Sequence, residues 1–256
     1  MGSSTPQAYL ILGTPGAGRR AVVQDLIEGG LAPDEQALVL LAEGEKPVPA
    51  DAALAKLKNT EVRRWRWQTP GLPDQKLGSA STVFLLADPL VAPVDQVEAL
   101  KPWLAAHGAE LGRVITVVDC SLAEQEPALL AWFEACIHFS DVVFLARREG
   151  VANKWFSDFI RHFTDQFFPC HFLHLKKGGI ENPALVLDPT PRRMSQYFDE
   201  TVELQKVEIE TDDEEDDENE DEDTPTEDPY LVRMRGGRRM KEVPDLGRHL
   251  AAGGQA

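Results

Sequence analysis

Gly13-Thr14-Pro15-Gly16-Ala17-Gly18-Arg19-Arg20 follows directly on the apolar run Tyr9-Leu10-Ile11-Leu12 and precedes a helical pattern. Glycines at this spacing let a tight turn aim successive backbone N–H groups at one anion, and the start of the next helix adds unpaired N–H groups of its own. Gly13 and Gly18 stand at the start and near the end of such a turn, so the chemistry on offer is phosphate binding. To work on a nucleotide, a loop of this kind needs a lysine for the outer phosphates and a Ser or Thr hydroxyl for magnesium. Arg19 and Arg20 hold those places. Arg19 keeps the charge on a longer, planar fork. Arg20 cannot ligate a cation and brings positive charge to where a metal would sit. A plain strand, turn and helix with incidental glycines stays open as the blander reading.

The elements that must position this loop are legible as apolar runs of strand length alternating with amphipathic segments of helix length. Residues 8–12 form the first strand, and the helix after the turn presents Val22, Val23, Leu26 and Ile27 on one side before Gly29-Gly30 stops it. Further strands are expected at 37–41, 82–86, 114–118, 142–145 and 171–175, and helices at 50–57, 93–107, 122–138, 153–167 and 189–198. The stretch 62–67, Val-Arg-Arg-Trp-Arg-Trp, alternates as an edge strand or exposed ribbon. Strands apolar throughout and separated by helices require a mostly parallel sheet covered on both faces, so the fold class is α/β with helices flanking the sheet. Ligands in such sheets bind beyond the carboxyl ends of the strands, where the 13–18 turn belongs.

Composition divides the chain further. The net charge of -17 is concentrated, because residues 207–228 hold 15 Asp and Glu and no Lys or Arg. The remainder therefore carries 43 minus 15, or 28, acidic residues against 26 basic ones. The expected organisation is a domain at 1–199, an acidic disordered linker at 200–228 and a basic, flexible tail at 229–256. The tail holds six Lys and Arg against two Asp and Glu, with Arg233, Arg235, Arg238, Arg239 and Lys241 among them. A solvated tail is the favoured reading, with docking back onto the domain and binding to nucleic acid or ribosome as the less favoured ones.

Cys120, Cys136 and Cys170 lack metal-ligand spacing and read as small buried hydrophobes. The aromatic series Trp155, Phe156, Phe159, Ile160, Phe163 and Phe167 has helical spacing and reads as core. Arg63-Arg64-Trp65-Arg66-Trp67 interleaves cations with aromatics as a single-strand nucleic-acid platform would, but a strand with inward tryptophans is preferred. No signal peptide or spanning helix is expected, and Pro6 spoils a myristoylation pattern after Met1-Gly2, so a cytoplasmic location without membrane attachment is expected.

Five landmarks in order make residues 9–179 similar to the CobW-like P-loop GTPases, a family associated with metal insertion. These are the strand and loop ending at Arg20; Ala42-Glu43-Gly44-Glu45; Leu85-Leu86-Ala87-Asp88-Pro89 followed by Pro93-Val94; Val114-Ile115-Thr116-Val117-Val118-Asp119; and Ser140-Asp141-Val142-Val143-Phe144-Leu145. The resemblance implies a P-loop NTPase-like fold. It also implies nucleotide contacts, GTP foremost, from Gly13, Thr14, Pro15, Gly16, Ala17, Gly18, Arg19 and Arg20. Asp88 and Asp119 become the candidates near a metal.

The same resemblance marks departures. Ala146-Arg147-Arg148-Glu149 stands where the family reads guanine with Asn-Lys-x-Asp, leaving Glu149 as the one acceptor for the base. Thr82 and Leu85 stand where an acidic residue and a glycine are expected, and the region 63–71 has none of the family's metal-binding cysteines. Charge stabilisation carries most of phosphoryl transfer, and losing one such contact costs about 3 to 4 kcal/mol of barrier. The expectation is therefore nucleotide or phosphate binding with little or no hydrolysis, no catalytic residue assigned and magnesium in doubt. One alternative is an interaction protein acting on an unknown protein partner through its C-terminal region. Another is a nucleotide or metabolite kinase, for which no acceptor lid is apparent.

Overall fold

A computed structural model describes residues 5–68, 71–176, 178–199 and 227–253. The expected acidic linker falls at 200–228, so all but its last two residues lie outside the described residues.

Seven strands form one parallel sheet in the order β3-β2-β4-β1-β5-β6-β7. They are β1 (Gln7–Gly13), β2 (Ala37–Ala42), β3 (Thr60–Trp65), β4 (Thr82–Leu86), β5 (Glu110–Asp119), β6 (Val142–Ala146) and β7 (His171–His174). The central strands β1, β2, β4 and β6 are apolar almost throughout because both faces are covered, as a parallel sheet requires. Alternation along each strand still sorts the side chains into two cores. Ala8, Leu10 and Leu12 of β1 join Leu38, Leu40, Val83, Leu85, Val114 and Val118 on one face. Tyr9 and Ile11 join Val39, Leu41, Phe84, Leu86, Ile115 and Val117 on the other.

Helices close each face. On the second lie α1 (Arg19–Gly30), α2 (Pro49–Leu54) and α7 (Pro183–Leu187), which contribute Val22, Val23, Leu26, Leu54 and Val186. On the first lie α3 (Pro93–His107), α4 (Cys120–Gln125), α5 (Leu130–His138) and α6 (Asn153–Thr164). Phe156, Phe159 and Phe163 of α6 are buried, so the aromatic series is core as read from its spacing, while Phe167 is 88 % exposed. β1 lies between β4 and β5, and the chain builds outward from it on both sides. The turn after β1 thus sits at the switch point of the sheet.

Three expectations need correction. The helix at 122–138 is broken into α4, a 3-10 turn at Pro127–Leu129 and α5, because Pro127 has no N–H to continue the ladder. No helix forms at 189–198; the helix of this region is α7, and the chain after it runs irregularly across the sheet's lower rim. Asp141 fixes that path, accepting from Arg192 N at 2.7 Å and Arg193 Nη1 at 3.2 Å.

The basic segment, read as a flexible tail, is instead docked over its described length. Tyr230 is 2 % exposed against the rings of His138 and Phe139, and Leu246 of α8 (Leu246–Gly253) is equally buried. Arg239 pairs with Asp95 and Glu98 of α3, each at 2.6 Å, and Arg233 pairs with Glu98 at 2.5 Å. These two cations thus answer acids of the domain itself, while Arg238 and Arg248 pair with Glu242 and Asp245 of their own segment. The ribbon at 62–67 resolves similarly. Trp65 points inward and donates to Leu86 O at 3.2 Å, while Arg63, Arg64 and Arg66 pair with Glu61, Asp51 and Glu43.

Candidate functional site

The glycines of the loop occupy the backbone region that only glycine enters without strain. Gly13 has φ +140°, Gly16 +75° and Gly18 +102°. At Gly13 the demand is also steric, since a Cβ there would lie 2.5 Å from the Val117 carbonyl of β5. The loop is closed by Ala17 N donating to Thr14 O at 3.3 Å, and α1 begins without a side-chain cap. The first-turn N–H groups of this twelve-residue helix therefore remain for a partner outside it, with the positive end of the helix dipole behind them. Pro15 contributes no donor.

Both arginines turn into the protein. Arg19 is 2 % exposed and donates from Nη1 to Ala87 O at 2.6 Å and Ile11 O at 3.3 Å, with Nη2 2.8 Å from Glu45 Oε2. Burial pulls its pKa down from the usual arginine value, and the Glu45 carboxylate opposes that pull. Arg20 places Nη1 2.8 Å from the same Glu45 oxygen and its Nε on Asp51 of α2. Arg64 of β3 holds the other oxygen of Asp51 and donates to Glu45 O at 3.1 Å. Three guanidiniums and two carboxylates thus make one network beneath the loop. Inside it, Thr14 Oγ1, Arg19 Nε and Arg20 Nη2 are buried without a hydrogen-bond partner.

The two candidate metal carboxylates end the strands beside β1, and each is engaged. Asp88 Oδ1 accepts from Leu90 N at 3.0 Å, and its carboxylate lies against Gly44, where a Cβ would come within 2.3 Å of it. Gln96 of α3 brackets the Asp88 backbone, accepting from Asp88 N at 2.7 Å and donating to Asp88 O at 2.8 Å. Asp119 caps α4 by accepting from Leu122 N at 3.0 Å, and Arg147 Nε lies 3.0 Å from its other oxygen. Arg147 holds φ +53°, uncommon for a non-glycine residue. Arg148 stacks over Phe156 at 3.7 Å and bonds His174, whose pKa is lowered by burial and by Arg148 and Lys176. Glu149 is exposed in the turn after β6.

The structure therefore brings Gly13 to Arg20 and Asp88 together at one rim, with Asp119 and Glu149 along it at the ends of β5 and β6. Sequence reasoning misses Glu45, Asp51, Arg64 and Gln96 as site residues. Glu45 lies within a landmark turn, and a glutamate available to two inward arginines is the signal that could find it.

Magnesium fits this donor set poorly. The hydroxyl that would ligate it is replaced by a fixed guanidinium, and the nearby carboxylates already hold cations or backbone N–H groups. Among the described residues, no group of three or more His, Cys, Asp and Glu is placed to hold a metal ion. No helix there is long and apolar enough to cross a membrane. Two cavities of about 520 and 530 Å³ lie at the opposite rim, lined by Gln7 and Glu110 among others, away from the loop.

The fold and loop define a class: a parallel α/β protein whose central strand ends in a glycine-rich loop that opens a helix. No protein-family description matches the chain. No curated protein matches it either. Among solved structures it is similar to the zinc-bound YjiA GTPase from E. coli and to a zinc-bound triple mutant of that GTPase. Each likeness has 11 % identity and a TM-score of 0.41, over 74 % of this chain and 67 % of the other. A likeness at that level carries no argument about activity or ligand.

Proposed function

We propose that the chain is a CobW-like nucleotide-binding protein that holds phosphate, GTP foremost, at the 13–20 loop and hydrolyses it little or not at all. One observation carries the reading. Three positive-φ glycines lead into an uncapped twelve-residue helix, with the Thr14 hydroxyl buried there and unpartnered. Backbone N–H groups do not depend on side-chain identity, so such a cradle survives the loss of the usual lysine.

Hydrolysis is a different matter. Arg19 is bound to two strand-end carbonyls and Glu45, and Arg19 and Arg20 stand where a lysine and a metal-ligating hydroxyl would stabilise a transferring phosphoryl group. Base reading rests on Glu149 and is the weaker half of the proposal. Isothermal titration of the full chain with GTP and with ATP tests it: heat for GTP, in excess of that for ATP, is expected. No heat from either nucleotide overturns the binding reading, and single-turnover hydrolysis well above buffer overturns the catalytic one.

A second reading, an interaction protein working through its C-terminal region, draws on the docked segment. It turns Met234 and Met240 outward, 44 % and 62 % exposed. That reading predicts a partner lost on Met240→Asp while nucleotide affinity persists.

A further inference from the structure

We infer that the 13–20 loop takes its nucleotide free of divalent metal, with the Arg20 guanidinium as a built-in cation in the metal's place. The inference rests on the binding reading above and adds the ionic form of the ligand.

Four observations converge. Arg20 occupies the first turn of α1, where a metal-ligating hydroxyl belongs in loops of this shape. It is a fixed charge, 8 % exposed, tied by Nη1 to Glu45 at 2.8 Å and by Nε to Asp51. Its remaining nitrogen, Nη2, is buried with no partner, as is the Thr14 hydroxyl of the same loop. Finally, Glu45 is shared by Arg19 and Arg20, Asp51 by Arg20 and Arg64, and Asp119 is held by Arg147 and the α4 N-terminus.

Magnesium demands oxygens at about 2.0 to 2.1 Å in near-octahedral order. At Glu45, Asp51 and Asp119 it would have to displace a guanidinium, and Asp88, whose Oδ1 accepts from Leu90 N, adds a single carboxylate to what remains. A free polyphosphate meets the opposite situation. Its oxygens can accept from the uncapped N–H groups, and the buried Thr14 Oγ1 and Arg20 Nη2 are the further unpartnered donors of the same loop, reached as the loop opens around the ligand. Metal chelation would cancel charge on the ligand that an arginine site uses.

The test is calorimetric titration of GTP into the full chain, once in excess EDTA and once in excess magnesium chloride. The expected dissociation constant in EDTA is within about threefold of that in magnesium, or tighter. Binding seen only with magnesium, or about tenfold tighter with it, overturns the inference and leaves the binding reading standing. No heat in either buffer overturns both. Arg20→Thr restores the hydroxyl and removes one of the two guanidiniums on each of Glu45 and Asp51, so this variant is expected to bind GTP more tightly with magnesium than without. Should it fail to fold, as circular dichroism would reveal, the wild-type comparison decides alone.

Discussion

Buried acids stand at both rims of the sheet, in different company. At the lower rim Asp141 is fully buried and tied to backbone: it accepts from Val114 N at 2.8 Å and Arg192 N at 2.7 Å, with Arg193 completing the set. At the upper rim Glu45 is held by the side chains of Arg19 and Arg20, and donors are left over beside it. An acid satisfied by main-chain N–H groups of two separate segments fixes how the chain returns. An acid satisfied by guanidiniums at a helix start, under a loop with unused donors, fixes side-chain charge and leaves donors unpaired. The first arrangement is a clamp, and the second is what the proposed binding site would need.

The sharpest way to break this comparison is to remove each acid. Asp141→Ala strands Val114 N, Arg192 N and a guanidinium that is itself buried, a loss of about 3 to 5 kcal/mol by the measure of broken buried ion pairs. Glu45→Ala leaves the buried Arg19 guanidinium on two carbonyls with no carboxylate while Arg20 keeps Asp51, so it too is expected to cost about 3 to 5 kcal/mol. Urea unfolding followed by tryptophan fluorescence measures both. Calorimetric titration of GTP into whichever variants fold separates the two. Affinity is expected to fall for Glu45→Ala and to stay at the wild-type value for Asp141→Ala. An unchanged affinity in Glu45→Ala would remove the distinction between clamp and site.

A smaller effect separates two glycines of the loop. Gly13→Ala combines φ +140° with a 2.5 Å approach to Val117 O, and about 3 kcal/mol of strain is expected. Gly16→Ala has open space around its Cβ and a left-handed φ of +75°, so about 1 kcal/mol is expected. Thermal melts of the two variants give the order. A reversed order would mean that the loop is free to relax at Gly13, and a loop so loose could not preorganise its N–H groups.

Much of the fold is legible in the sequence because parallel strands buried on both faces must be apolar runs. β4 and α3 coincide with the stretches read from pattern alone, and every expected strand is present with ends shifted by a few residues. Pattern alone misreads the segment 189–198 because its order comes from Asp141, 51 residues before Arg192, and local pattern has no access to that contact. Docking of the basic tail is among the readings its charge allows, but the acids it meets are not legible, for the same reason: Arg239 answers Asp95 across 144 residues. Within the site, the glycine positions are legible, since a tight turn dictates them locally. The network of Glu45, Asp51 and Arg64 is not, because their convergence depends on β3 pairing with β2 and on α2 folding back toward α1.

The smallest effect concerns a single hydroxyl and discriminates most finely. Thr14 is fully buried, and its Oγ1 has no partner, so the ligand-free protein bears the desolvation of a polar group with nothing in return. Thr14→Val replaces that hydroxyl by a methyl of similar shape. Unpaired polar groups replaced in this way leave stability unchanged or raise it, by about 0 to 1 kcal/mol. GTP affinity should fall at the same time, because the hydroxyl is one of the donors waiting in the loop. Asp141 offers no such dissociation, since anything that weakens it weakens the fold. A Thr14→Val protein that unfolds at lower urea than wild type would show the hydroxyl to be structural, and the upper rim would then be a second clamp. A protein as stable as wild type, with weaker calorimetric binding of GTP, places the hydroxyl's role in the complex.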